Sequence, residues 1–180
     1  MGKIYITADT HFSHAGIICY ENRPFDSAAQ MDEAIVSNWN DAVKKDDTVY
    51  HLGDFAFCGE PEVRAILSRL NGAKYLVMGN HDRVHKPSWW RDAGFVEAYE
   101  HPICIMQFIW LSHEPMYMNM NMPYLNIHGH VHNNLISNPR REVYLNASVE
   151  HHSYAPFELM NAVGEKAREC EKQINDYLRP

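Results

Sequence analysis

Among the 180 residues there is no C-x-x-C pair: Cys19, Cys58, Cys104 and Cys170 are scattered, which argues against a structural zinc site and against a disulfide framework. No apolar run approaches the roughly 20 residues that a membrane span needs. The opening stretch "MGKIYITADT" is too brief for an export signal, and Ile6 stands where a myristoylation pattern wants Ser or Thr. A reduced, cytoplasmic setting without membrane contact is therefore expected. Dense basic runs are missing as well, and with a net charge of -7 and a pI near 5.9 no stable grip on nucleic-acid phosphates is expected. Repeats, low-complexity stretches and linkers are also missing, so residues 1–180 read as one domain with a core of its own.

Histidine is the residue in surplus, with 12 copies, and its placement follows the expected secondary structure. "KIYITA" reads as a short buried strand ending at Asp9, followed by a polar loop containing "NRPFDS". Ser27 and Gln30 form a capping box for a helix over about 28–44, with Ala28, Met31, Ile35, Trp39 and Val43 on its apolar face. "TVYHLGD" is a second strand. Pro61 opens a helix with a Val63, Ile66, Leu67, Leu70 stripe that Asn71-Gly72 stops, and "AKYLVMGN" is a third strand. This alternation favours an α/β sheet with a parallel portion. Short strands follow at "FVEAY", "ICIMQ", "FIWLSH", "YLNIH" and "EVYLNAS". A final amphipathic helix over roughly 161–178 places Val163, Ala167, Cys170, Ile174 and Tyr177 or Leu178 on one face.

Acidic and imidazole groups gather where these strands stop: "DTH" (Asp9, His11), "GD" (Gly53, Asp54), "GNHD" (Gly79 to Asp82), "SH" (His113) and "GHVH" (His130, His132). The carboxyl ends of strands line the ligand crevice in α/β sheets, so five segments can converge there. Carboxylate, imidazole and amide oxygen suit first-row divalent cations, and the supply of ligands exceeds what one tetrahedral ion takes.

In this order the five motifs resemble the calcineurin-like metallophosphoesterase family. The resemblance implies an α/β fold, a two-sheet sandwich flanked by helices in an α/β/β/α arrangement. It implies one metal held by Asp9, His11, Asp54 and His132, and a second held by Asp54, Asn80, His113 and His130, with Asp54 shared. Manganese is the expected metal, with Fe, Ni, Co and Zn as alternatives. Two such ions about 3.5–4 Å apart would generate hydroxide from water and clamp the phosphoryl oxygens of a small phosphomonoester or phosphodiester. His81 is expected to protonate the leaving oxygen, with Asp82 orienting its ring. Two further functions use the same fold: a non-catalytic metal-binding scaffold, which the presence of His81 disfavours, and a nuclease, which the missing basic groove disfavours.

Substrate contacts are expected from Asn80, from His14 and from Arg23. The last is the candidate cation because "GD" continues as Phe55-Ala56-Phe57, without the Arg found in many relatives. Met116, Met118, Met120 and Met122 alternate and read as a flexible apolar wall, and Trp89-Trp90 as the anchor of a short helix. Glu114 and the pair His151-His152 are expected in solvent. In "NIHGHVH", Gly129 marks the strand's exit, so His130 and His132 can face different metals while His128 stays behind as a supporting or core histidine.

Overall fold

The computed structural model describes residues 2–119, 121–134 and 141–177. Strand β1 (Ile4–Thr7) leads into helices α1 (Ala15–Tyr20) and α2 (Ala28–Ala42), then β2 (Thr48–His51), α3 (Glu60–Arg69) and β3 (Ala73–Val77). Helix α4 (Pro87–Ala93), β4 (Glu97–Tyr99), β5 (Ile103–Ile105), β6 (Ile109–Ser112), β7 (Leu125–His128), β8 (Tyr144–Asn146), β9 (Phe157–Glu158) and α5 (Leu159–Tyr177) complete the chain.

The strands form two sheets, ordered β4-β3-β2-β1-β9 and β5-β6-β7-β8. Within the first, β1 to β4 run parallel and β9 returns antiparallel beside β1; in the second, β6, β7 and β8 run parallel and β5 is antiparallel. The two-sheet sandwich flanked by helices is thus present. Strand alternation builds it. Tyr5, Val49 and Leu76 point from the first sheet into a cluster with Trp39, Val63 and Trp90 of the helices. Ile6, Leu52 and Val77 point the other way, against Leu111, Ile127 and Ala147 of the second sheet.

Local chemistry sets the helix ends. The Ser27 hydroxyl accepts from the Gln30 N–H at 3.2 Å, as expected, but the Gln30 side chain reaches back to the N–H of Asp26 rather than of Ser27. Helix α1 lies inside the stretch expected to be a polar loop, and β9 was not foreseen because two residues carry too little periodicity. On α5, Val163 packs against the inter-sheet cluster, whereas Ala167 is exposed instead of buried. The side chains of Cys170, Ile174, Tyr177 and Leu178 lie outside the described residues, as does Met120.

The sheets meet closely where β7 ends. A Cβ on Gly129 would collide with the Asp9 carboxylate and stand 2.7 Å from Ala8 Cβ. Gly129→Ala is therefore expected to cost about 1–3 kcal/mol, the range for overpacking a tight core. Denaturant unfolding checks this, and unchanged stability would mean that the two sheets have room to separate here.

Candidate metal centre

Because the strands are parallel, their carboxyl ends fall on one edge of the sandwich. Asp9 and His11 follow β1, Asp54 follows β2, Asn80 to Asp82 follow β3, His113 follows β6, and His130 and His132 follow β7. Cross-links hold these exits together: the Asp9 N–H donates to Gly53 O (3.0 Å), His11 N–H to Asp54 O (3.0 Å), and Gly129 N–H to His113 O (2.9 Å). Asp9, His11, Asp54, His130 and His132 all have left-handed backbone, with φ of 57°, 51°, 55°, 72° and 46°. Each such position costs about 1 kcal/mol or more, and it turns the side chain out of the sheet toward its neighbours.

Ligand atoms of Asp9, His11 and His132 lie within 4.8 Å of one another, as do those of Asp9, Asp54 and His113. Asp54 Oδ2, of the second group, lies 3.5 Å from His113 Nε2 and also 3.7 Å from His11 Nε2 of the first. Its Oδ1 accepts from the His81 N–H at 3.0 Å. On the open side, Asn80 Oδ1 lies 2.9 Å from His113 Nε2 and 3.0 Å from His130 Nδ1, and these two ring nitrogens are 3.1 Å apart. All seven residues expected to hold metal are thus brought together. Asp9 belongs to both groups, which the assignment of Asp54 as the shared carboxylate did not foresee.

Hydrogen bonds behind the site set which ring nitrogens face it. His113 Nδ1 lies 2.8 Å from the Leu52 carbonyl, so it carries the proton and Nε2 offers a lone pair. His132 Nδ1 is likewise directed at Glu150 Oε1, 3.0 Å away. His11 Nε2 is buried with no hydrogen-bond partner among the described residues, and points where a cation would satisfy it. Lone pairs on His113 Nε2 and His11 Nε2 beside two carboxylates suit a divalent ion, and so does the missing thiolate.

Charge balance points the same way. Burial pushes the Asp9 carboxyl up to about 7, against the His132 charge and the hydrogen bonds from Ser148 and His130. Burial, then the charges of Asp82 and Asp9, push Asp54 up to about 8. Burial also drives His11 and His113 down, keeping them neutral. His132 goes the other way: burial opposes its charge, but Glu150 and Asp9 outweigh it and raise its pKa. With His11 and His113 neutral, an added cation would favour ionisation of both buried carboxylates beyond what His132 supplies.

Two residues at this edge were missed. Ser148 Oγ donates to Asp9 Oδ2 at 2.7 Å, and Glu150 receives His132. Both follow the carboxyl end of β8, so the strand-end pattern that exposed the other residues pointed here too.

Arg23 corrects an expectation. It is 4% exposed and gives Nε and Nη2 to Glu150 Oε1 (2.9 and 2.6 Å), Nη2 to Asp9 O (2.7 Å) and Nη1 to Thr10 O (2.9 Å). With its donors turned inward it does not face a substrate; it braces the exit of β1 and holds Glu150.

Asp82 is a second correction. Its carboxylate accepts from the N–H groups of Asp54 (2.7 Å), Phe55 (3.1 Å) and Gly79 (2.8 Å), and no hydrogen bond joins it to the His81 ring among the described residues. It shapes the two loops that carry Asp54 and His81.

His14 Nδ1 lies 3.1 Å from His11 Nδ1, and its ring stacks on Phe57 at 3.9 Å. His128 is buried as expected, with Nδ1 on its neighbour's carbonyl (Gly129 O, 2.9 Å), but Nε2 has no hydrogen-bond partner among the described residues. Glu114 is half-buried and paired with Arg83, and His152 is half-buried on the Asn146 carbonyl, whereas His151 is exposed as expected, with Nε2 on the His132 carbonyl. Met118 is buried while Met116 is half-buried and Met122 exposed, so the methionines form no continuous wall.

The family model of calcineurin-like phosphoesterases matches residues 2–169. An uncharacterised protein of Methanocaldococcus jannaschii is 34% identical over 171 residues, covering 88% of each chain. The gene 66 protein of Mycobacterium phage L5 is 32% identical over 88 residues, which is 47% of this chain and 42% of that protein. Among solved structures, the protein of unknown function AQ665 from Aquifex aeolicus superposes with a TM-score of 0.67 at 31% identity, covering 96% of this chain and all of that one.

Removing one partner of a buried ion pair strands the other charge, so Arg23→Met is expected to cost about 3–5 kcal/mol in denaturant unfolding. Near-normal stability with weakened substrate affinity would return Arg23 to the substrate. Stability should also report the buried carboxylates. Folded Asp9 and Asp54 keep protons up to about 7 and 8 that the unfolded chain releases near 3.8, so stability falls as pH rises between those values. His11, His51 and His113 act oppositely below 6.5, where unfolded imidazoles take up protons the folded ones refuse. From 6.5 to 8 the carboxylates prevail, and the chelated protein should lose about 1.4 kcal/mol per pH unit for each proton at stake. Thermal unfolding in chelator checks this; stability that climbs through that interval would contradict it.

Proposed function

Since the chain belongs to the calcineurin-like phosphoesterase family, we propose that it hydrolyses a small phosphate monoester or diester with two divalent metal ions. The observation that carries this is the pair of buried carboxylates facing the imidazoles of His11 and His113, with His11 Nε2 unpartnered among the described residues. Asp9, His11, Asp54 and His132 would hold one ion and Asp54, Asn80, His113 and His130 the other. The position of Asp54 Oδ2 between His11 and His113 supports a shared carboxylate. Manganese suits this mixed oxygen and nitrogen set. When bound, the two ions supply a nucleophile from water at neutral pH and offset phosphoryl charge.

The chain's own residues divide the remaining work. His81, with 49% of its side chain exposed and Nε2 3.9 Å from Asp54 Oδ2, stands at the open edge of the site. There its imidazolium would offset charge on the phosphoryl group and hand its proton to the departing oxygen. Asp82 acts through the backbone, fixing the loops from which Asp54 and His81 project. Glu150 holds the His132 proton on Nδ1 and keeps Nε2 free. Asn80, which is exposed, and His14, beside His11, would meet the phosphate. No described helix is long and apolar enough to cross a membrane.

A panel of phosphate mono- and diesters, assayed after metal stripping and reloading with Mn, Ni, Zn, Co or Mg, tests the proposal. Hydrolysis should depend on metal, and His81→Ala should keep its metal content while losing about 10²–10⁴-fold in turnover. Hydrolysis that persists in chelator would sink the proposal. Full turnover by His81→Ala would remove that residue from the chemistry.

A further inference from the structure

If His81 protonates the departing oxygen, whatever that oxygen carries must leave on the His81 side. A cavity of about 360 Å³ opens there, lined by His81 itself with Phe57, Cys58, Val84, His85 and Trp89. Its volume lies within the range of small-molecule sites. No Asp, Glu, Lys or Arg is among its lining residues, so away from His81 it presents no carboxylate, ammonium or guanidinium to a ligand. Rings form its walls. Trp89 and His85 lie face to face at 3.9 Å and 9°, Trp89 meets the buried Trp90 edge-on at 4.7 Å, and Phe57 stands 4.8 Å from His81. At the mouth, Phe57 is 37% and Val84 77% exposed, two large apolar side chains left in water beside the site.

Resting on the phosphoesterase reading, we propose that this cavity takes a planar aromatic ring borne by the ester's leaving group, a nucleobase or a small aryl ring, against Phe57 and Trp89. A flat apolar wall with polar nitrogen and sulfur at its edges fits such a ring better than a sugar or an alkyl chain. Stacking is tolerant of ring identity, so the cavity sets the class of ester rather than one compound.

The test compares two esters whose leaving groups are both primary alcohols, adenosine 5′-phosphate and glycerol 3-phosphate, together with their methyl diesters. The Mn-loaded wild type should favour the adenosine ester by about tenfold in kcat/KM. Trp89→Leu, which keeps apolar bulk but removes the flat ring, should abolish that ratio. Val84→Glu, at the exposed mouth, should lower it without touching the core. A purely structural role for Trp89 would lower both esters alike and leave the ratio intact, which would overturn the proposal. Separately, adenosine or benzyl phosphate titrated into the chelated protein should quench tryptophan emission in the wild type and much less in Trp89→Leu. Quenching by benzyl phosphate alone assigns the cavity to small aryl rings, and quenching by neither overturns it. If no ester is hydrolysed with any metal, the phosphoesterase reading fails on its own, and the titrations still decide the cavity.

Discussion

The burial of Asp9 and Asp54 within reach of the same imidazoles is the constraint around which this edge of the protein is built. A carboxylate taken out of water is costly unless it is paired and hydrogen-bonded. Each receives some compensation: Asp9 from Ser148 Oγ and the His130 N–H, Asp54 from the His81 N–H. None of those donors is a cation. The guanidinium of Arg23 gives its donors to Glu150 and to the carbonyls of Asp9 and Thr10, so it strengthens the frame without hydrogen-bonding to either carboxylate of the pair.

The frame shows why so little of the site depends on long side chains. Backbone bonds between strand exits and left-handed turns at five of the site residues aim short groups inward. Asp82 extends this by tying the Asp54, Phe55 and Gly79 amides together, and it leaves no space at Gly79, where a Cβ would overlap the Asp54 carboxylate. Function at this edge is positional: the chemistry belongs to ordinary residue types, and the loops make it local.

Much of this was legible in the sequence because strand ends announce themselves. Asp9, His11, Asp54, Asn80, His113, His130 and His132 each follow an apolar run that stops, and parallel strands bring such stops to one edge. What could not be read was direction. Arg23 is a lone cation in a polar loop, and only the folded chain shows it turned inward on Glu150, 127 residues away. Asp82 adjoins His81 in sequence, yet its carboxylate points at backbone amides because the chain turns between them. Ser148 and Glu150 obey the strand-end pattern but sit in "NASVEHH", where neighbouring histidines drew attention from them. Helix α1 and strand β9 are too short for periodicity to speak.

The division of the site between two sheets bears on how the chain assembles. Asp9, His11, Asp54 and Asn80 follow strands of the five-stranded sheet, while His113, His130 and His132 follow strands of the four-stranded one. Neither half gathers both groups of ligand atoms, because each group contains residues from both sheets. A chain folded only as far as one sheet would therefore hold a divalent ion weakly. An ion held by either group would tie the two sheets together like a rivet, so its retention would record that both halves have closed.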